Sequence, residues 1–163
     1  MQGFNISVDQ LKAARDFFSG NDIEVLTAQS IKINRGQPNF TATVLALEMH
    51  GLDRIKVEDL LESIFVVYYA QTELRKKTIY PISFGQIKKN IKWFEEFISY
   101  YNGENKIGNQ DLTQIKFIRD DIVLDFALNT LRNLFGDPAK IPVEVVFSYF
   151  ALLKAIEIGT EKA

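Results

Sequence analysis

Residues 83–101 read SFGQIKKNIKWFEEFISYY, and the spacing inside that stretch decides the fold class. Ile87, Ile91, Phe94, Ile98 and Tyr101 recur at i, i+4, i+7, i+11 and i+14, the period of a helix with one face on a core. Ser83 and Gln86 offer a capping box, in which a hydroxyl and an amide side chain satisfy N–H groups of the first turn. The spacing predicts a helix from Phe84 to Tyr101.

The same pattern recurs on either side. Upstream, Val57, Leu61, Ile64 and Tyr68 stripe a helix from Val57 to Arg75, and Arg75-Lys76-Lys77 suits the negative end of its dipole. Pro81 separates the two helices. Ser7 and Gln10 form another capping box, followed by Leu11, Ala14 and Phe18 at helical spacing, with Gly20 placed to end the helix in a left-handed conformation. Downstream, Gly103 to Gly108 is a polar loop. A helix is expected from Gln110 to Phe135, stopping at Gly136-Asp137-Pro138, and a last one from Val143 to Ile158, ending at Gly159. Asp22 to His50 reads two ways. Ile31-Lys32-Ile33 alternates and Phe40 to Val44 is rich in β-branched residues, which suits a short β-hairpin near residues 31–44. Two short helices are preferred, because Phe40, Val44 and Leu47 make a stripe closed by Gly51. The expectation is an all-α, single-domain bundle of five to seven helices over residues 1–163.

Composition agrees with one ordinary domain: 163 residues, 47% apolar and 25% charged. The 19 basic and 21 acidic residues leave a net charge of −2, too mild to make nucleic acid or an anionic membrane the default partner. Zero cysteines exclude a disulfide framework, a thiolate metal site and a cysteine nucleophile, and one histidine excludes a multi-histidine cage within the chain. The longest apolar run, Ile64 to Ala70, falls far short of the about 20 residues a membrane span needs. Met1-Gln2-Gly3-Phe4 lacks the pattern of a secretory signal, so a cytoplasmic location without a membrane partner is expected.

No residue pattern points to catalysis. His50 precedes Gly51 at a helix end, where a cation meets exposed carbonyls, and is read as a capping histidine. Asp121 with Asp125 and Glu58 with Glu62 are i, i+4 carboxylate pairs. The helical di-iron pattern would require Glu-x-x-His on two helices, which is absent, so the Asp121/Asp125 ridge, which continues to Gln114 and Arg132, reads as a solvated seam. No catalytic residue, cofactor or metal site is expected.

Two surfaces carry the functional expectation. On the helix from Phe84, Trp93, Phe97 and Tyr100 make a second apolar stripe that widens the arc to about 180°, more than one core requires. The last helix is apolar nearly all round, with Phe147, Tyr149 and Phe150 prominent, so it is either central or covered by another chain. Those six aromatics suggest a non-enzymatic protein-interaction module that self-associates, with a homodimer as its default form. The alternative is a basic corner: Arg75, Lys76, Lys77, Lys88, Lys89 and Lys92 fall around Tyr80-Pro81, and Tyr80, Phe84 and Trp93 could stack on bases, as a nucleic-acid or other polyanion site requires.

Overall fold

The computed structural model describes residues 4–105 and 117–162, with the side chains of residues 100–105, 161 and 162 outside the described set. Seven α-helices run through them in chain order: α1 (Val8–Gly20), α2 (Ile23–Gly36), α3 (Pro38–Leu45), α4 (Arg54–Tyr69), α5 (Phe84–Asn105), α6 (Asp121–Phe135) and α7 (Val143–Lys162). No strand occurs among the described residues, and 31–44 is helical on both sides of Gln37. The fold is all-α. One buried apolar cluster draws residues from all seven helices.

Helix ends follow local chemistry. Gln10 N–H donates to Ser7 Oγ at 3.1 Å and Ser7 N–H to Gln10 Oε1 at 3.0 Å, closing the expected capping box. At α5 half the box forms: Gln86 N–H donates to Ser83 Oγ at 3.1 Å, while the Gln86 amide turns to Asn90 Oδ1 at 2.8 Å. Gly51 (φ 87°) and Gly136 (φ 73°) end their helices with positive φ, as a residue without Cβ can. Gly20 does not. It stays inside α1, and Asn21 closes the helix in an extended conformation with its Nδ2 donating to Phe17 O at 2.8 Å.

Helix α7 is the centre of the bundle. Its residues Ala151 to Glu157 are all buried, and α5, α4 and α3 pack around it. Tyr149 and Phe150 are therefore core residues, Phe150 stacked on Phe94 and Tyr149 edge-on to Phe150, and not the association surface the sequence suggests. A helix apolar on every side finds its cover within its own chain. Burial pushes the Tyr149 hydroxyl up to about 12, against the hydrogen bonds that Ser63 and Thr130 make with it.

Two charges lie inside this helix. Lys154 Nζ is 2.5 Å from Glu157 Oε1 and donates to Phe117 O at 2.8 Å, with the rings of Trp93 and Phe117 at 5.2 and 5.3 Å. Glu157 Oε2 accepts from Arg119 N–H at 3.0 Å. Phe117 and Ile118 are buried in a stretch, 117–120, that is not helical, contrary to the helix expected from Gln110, and α6 begins after it at Asp121. The part of that expectation over 110–116, Gln114 included, lies outside the described residues. Asp120 ends the stretch: its carboxylate accepts from Ile122 and Val123 N–H and, through the other oxygen, from Ile6 N–H at 3.2 Å. Phe117 is the cover that α5's wide apolar arc needs, with Trp93, Phe94 and Phe97 all in ring contact with it.

The end of α4 widens into a π turn over Ala70–Leu74, where Arg75 N–H reaches Ala70 O at 3.0 Å. The connection that follows is held by a buried amide. Gln37 Nε2 donates to Ile79 O at 3.3 Å and Tyr80 O at 2.9 Å, and Gln37 Oε1 accepts from Ile82 N–H at 2.9 Å. Ile79 and Ile82 thereby point inward while Tyr80 and Pro81 face solvent. Gly159 does not end α7 as expected. The helix continues to Lys162, and a Cβ at 159 would sit 2.8 Å from Ile79 Cγ2, so glycine lets this connection approach.

Two substitutions test this arrangement. Lys154→Met should cost about 3–5 kcal/mol in urea unfolding, because Glu157 is left as an unpaired buried charge, and Lys154→Met with Glu157→Leu should recover most of that loss. Gly159→Ala should destabilise the parent by about 1–3 kcal/mol through overpacking. On an Ile79→Ala background the same change should become favourable by up to about 1 kcal/mol, the helix-propensity gain of alanine.

Candidate functional site

Helices α1 and α6 both flank α4, and the space between them is a groove of about 650 Å³. Leu11 and Phe18 from α1, Val66 from α4, and Phe126 and Leu134 from α6 supply apolar walls. The lining continues past Asn133 and Leu134 toward Ile55 and Lys56 at the start of α4, and back along α6 to Ile122. Ile122 to Leu134 spans about 18 Å of helix axis, the length of three turns.

The groove's charges are unevenly paired. Lys12 bonds Asp16 at 3.1 Å, an i, i+4 pair along α1. The Arg15 guanidinium lies 5.8 Å from the centre of the Phe126 ring. Asp59 and Glu62, one turn apart on α4, have no ion-pair partner among the described residues. Partial burial, with the neighbouring Asp59 charge second, raises the Glu62 carboxyl above its ordinary value. Ser63, next in the chain, lines the floor and lies in hydrogen-bond contact, 3.0 Å, with the buried Tyr149 hydroxyl. What this arrangement can do chemically is hold an elongated object with apolar side chains and a cation.

Sequence reasoning missed the groove because its walls come from three helices far apart in the chain. The available signal was Glu58/Glu62, which the structure divides: Glu62 lines the groove and Glu58 does not. Asp121 and Asp125 are both exposed on α6. His50 is exposed at the end of the 3₁₀ turn Ala46–His50, just before Gly51. Among the described residues no three His, Asp or Glu side chains are grouped to hold a metal, and no helix is long and apolar enough to cross a membrane.

The expected association surface is largely interior. Besides Tyr149 and Phe150, Phe147 and Phe97 are half-buried against Phe94 and Phe117, and the Tyr100 side chain lies outside the described set. Among the described side chains of that surface, Trp93 alone keeps substantial exposure, 45%. The basic corner is also altered. Arg75 donates through Nη1 to Phe4 O and, at 2.8 Å, to Gln71 Oε1, so its guanidinium is tied to the fold. Lys76, Lys77, Lys88, Lys89 and Lys92 are exposed. Comparison with family models, curated proteins and solved structures returns no match, so function must be derived from the chain's own residues.

The raised carboxyl gives a pH test. A carboxyl raised in the folded chain contributes stability below its ordinary value of 4.5 and loses that contribution as pH rises through the folded value. Glu62→Gln should therefore be slightly more stable than the parent at pH 7, and urea unfolding at a series of pH values should show the gap close below the ordinary glutamate range. A gap independent of pH would mean Glu62 is fully solvated in the groove.

Proposed function

We propose that this chain is a non-enzymatic helical interaction module that takes a basic amphipathic helix of a partner protein into the groove between α1, α4 and α6. The observation that carries the reading is the groove's chemistry: apolar walls beside two carboxylates, Asp59 and Glu62, that have no ion-pair partner among the described residues. An amphipathic helix laid in a groove buries its apolar face in such walls and places its charges at the rim. Lysine or arginine there would offset both the burial that raises the Glu62 carboxyl and the smaller repulsion from Asp59. The groove's length along α6 matches three helical turns of a partner, enough for anchors at i, i+4 and i+7.

A homodimer through the aromatic surface is not the form proposed, because burial of Tyr149 and Phe150 leaves Trp93 as its one well-exposed ring among the described side chains. Replacing Tyr149 would open the core rather than separate two chains.

The test is a titration of the isotopically labelled chain with two synthetic helical peptides that share one apolar face, one flanked by lysines and one by glutamates. The lysine peptide should bind, with shifts gathered at Leu11, Val66, Phe126 and Leu134, and Asp59→Lys with Glu62→Lys should weaken it at least tenfold. Equal binding of both peptides, or shifts centred away from the groove, would overturn the reading.

A further inference from the structure

We infer that the connection from α4 to α5, with the first turns of α5, is a second and separate binding site, one that takes single-stranded nucleic acid. Two exposed rings and five exposed lysines carry it. Tyr80 is 73% exposed and Phe84 48%, unusual values for large aromatics. Lys76, Lys77, Lys88, Lys89 and Lys92 form no ion pair among the described residues. Five of the chain's 19 cations thus stand together in sequence around two uncovered rings, on a molecule whose net charge is −2.

Fold stability does not account for this arrangement. Lys76 and Lys77 follow α4, where a helix dipole favours cations, but Lys88, Lys89 and Lys92 occupy the early turns of α5, where it favours anions. Along α5, at 100° per residue, Lys88, Lys89 and Lys92 fall on the side opposite the buried Ile87, Asn90 and Phe94, and Phe84 precedes Lys88 and Lys92 at i, i+4 and i+8 on the flank of that face. Glu95 and Glu96 lie in the next turn and end the basic run. Tyr80 is not on a loose loop. The Gln37 amide donates to the Ile79 and Tyr80 carbonyls and accepts from Ile82 N–H, and Asn39 Nδ2 donates to Ile82 O at 2.8 Å, so the backbone that displays the ring is fixed from beneath.

The chemistry selects the ligand. Phosphates spaced along a strand answer the lysines, and unstacked bases answer the ring faces of Tyr80 and Phe84, as on other single-strand platforms. An acidic peptide would satisfy the lysines and leave the rings uncovered. Duplex DNA presents phosphates while its bases stay stacked.

The experiment uses the full chain and a fluorescein-labelled 12-nucleotide single-stranded RNA, read by anisotropy, with heparin and a duplex of the same sequence as competitors. Binding should appear at low salt, with log K falling against log salt at a slope of about −2 to −3.5, for three to five neutralised phosphates. Tyr80→Ala with Phe84→Ala should weaken binding at least tenfold and leave the slope unchanged. Lys88→Gln with Lys92→Gln should make the slope shallower by about 1.4. All four side chains are exposed, and circular dichroism of each variant checks that the fold is kept. Asp59→Lys with Glu62→Lys, in the groove, should have no effect on RNA binding, which separates this site from that one. No binding at low salt overturns the proposal. So does binding in which heparin or the duplex competes equally and the ring substitutions change nothing, since that is cation exchange without base recognition.

Discussion

A helix with neighbours on every side can keep a charge only where the rest of the chain supplies polar groups to meet it. In α7 that condition falls on Lys154 and Glu157, which face each other at 2.5 Å inside the bundle. Each has a second obligation that its partner cannot fill. Lys154 finds the Phe117 carbonyl and Glu157 the Arg119 amide, so the pair clamps the backbone that leads into α6. Desolvating two charges costs several kcal/mol per ion, and the attraction between them barely repays it. What the pair contributes is position. Phe117 is drawn over α5, where it meets Trp93, Phe94 and Phe97, and Asp120 is left where it both caps α6 and accepts from Ile6 N–H.

Three buried amides do comparable work on the neutral side. Gln37 holds the 79–82 backbone, Gln71 links Thr160 of α7 to Arg75, and Asn90 Nδ2 donates to Ala151 O at 3.2 Å, joining α5 to α7. Each is fully buried. A buried amide that lost its partners would cost about 1–3 kcal/mol, whereas each bond made contributes nearer 1, so these residues discriminate against other packings more than they stabilise this one. Arg75 shows the consequence for the surface. A cation that reads as part of a basic corner is bound to the carbonyl of Phe4 and to Gln71 and is half-buried, while the lysines around it are exposed.

What was legible in the chain follows from the range of each interaction. The helix class, the Ser7–Gln10 box, and the stops at Gly51 and Gly136 all depend on residues within one turn, and all are found. Gly20 and Gly159 look the same in sequence as Gly51 but answer different needs. Asn21 closes α1 with its own side chain, and Gly159 admits Ile79, 80 residues away in the chain. The apolar periodicity around 117–118 runs smoothly into α6, which disguised a non-helical stretch as part of a helix. That error propagated: without Phe117 as a cover, the second stripe of α5 looked exposed, and an interface was needed to explain it. For α7, periodicity could not separate cover by another chain from cover by α5, α4 and α3. The groove was invisible for the same reason, its three walls being set by packing and by no local pattern.

Both proposed surfaces depend on α4, and α4 is held from behind by α7. Ser63, on the floor of the groove, meets the Tyr149 hydroxyl in the core, so the spacing between Asp59, Glu62 and the apolar walls is set from the centre of the bundle. Two turns further on, Gln71 bonds Thr160 within the π turn that redirects the chain toward Tyr80. A π turn inserts one residue into the helical register and turns the following segment relative to the helix before it. Here it follows the acidic residues that line the groove between α1 and α6 and precedes the basic connection, which Gln37 fixes. The opposite charges thereby lie on different elements, the acidic pair on α4 and the lysines on the connection and on α5, as the two proposals require.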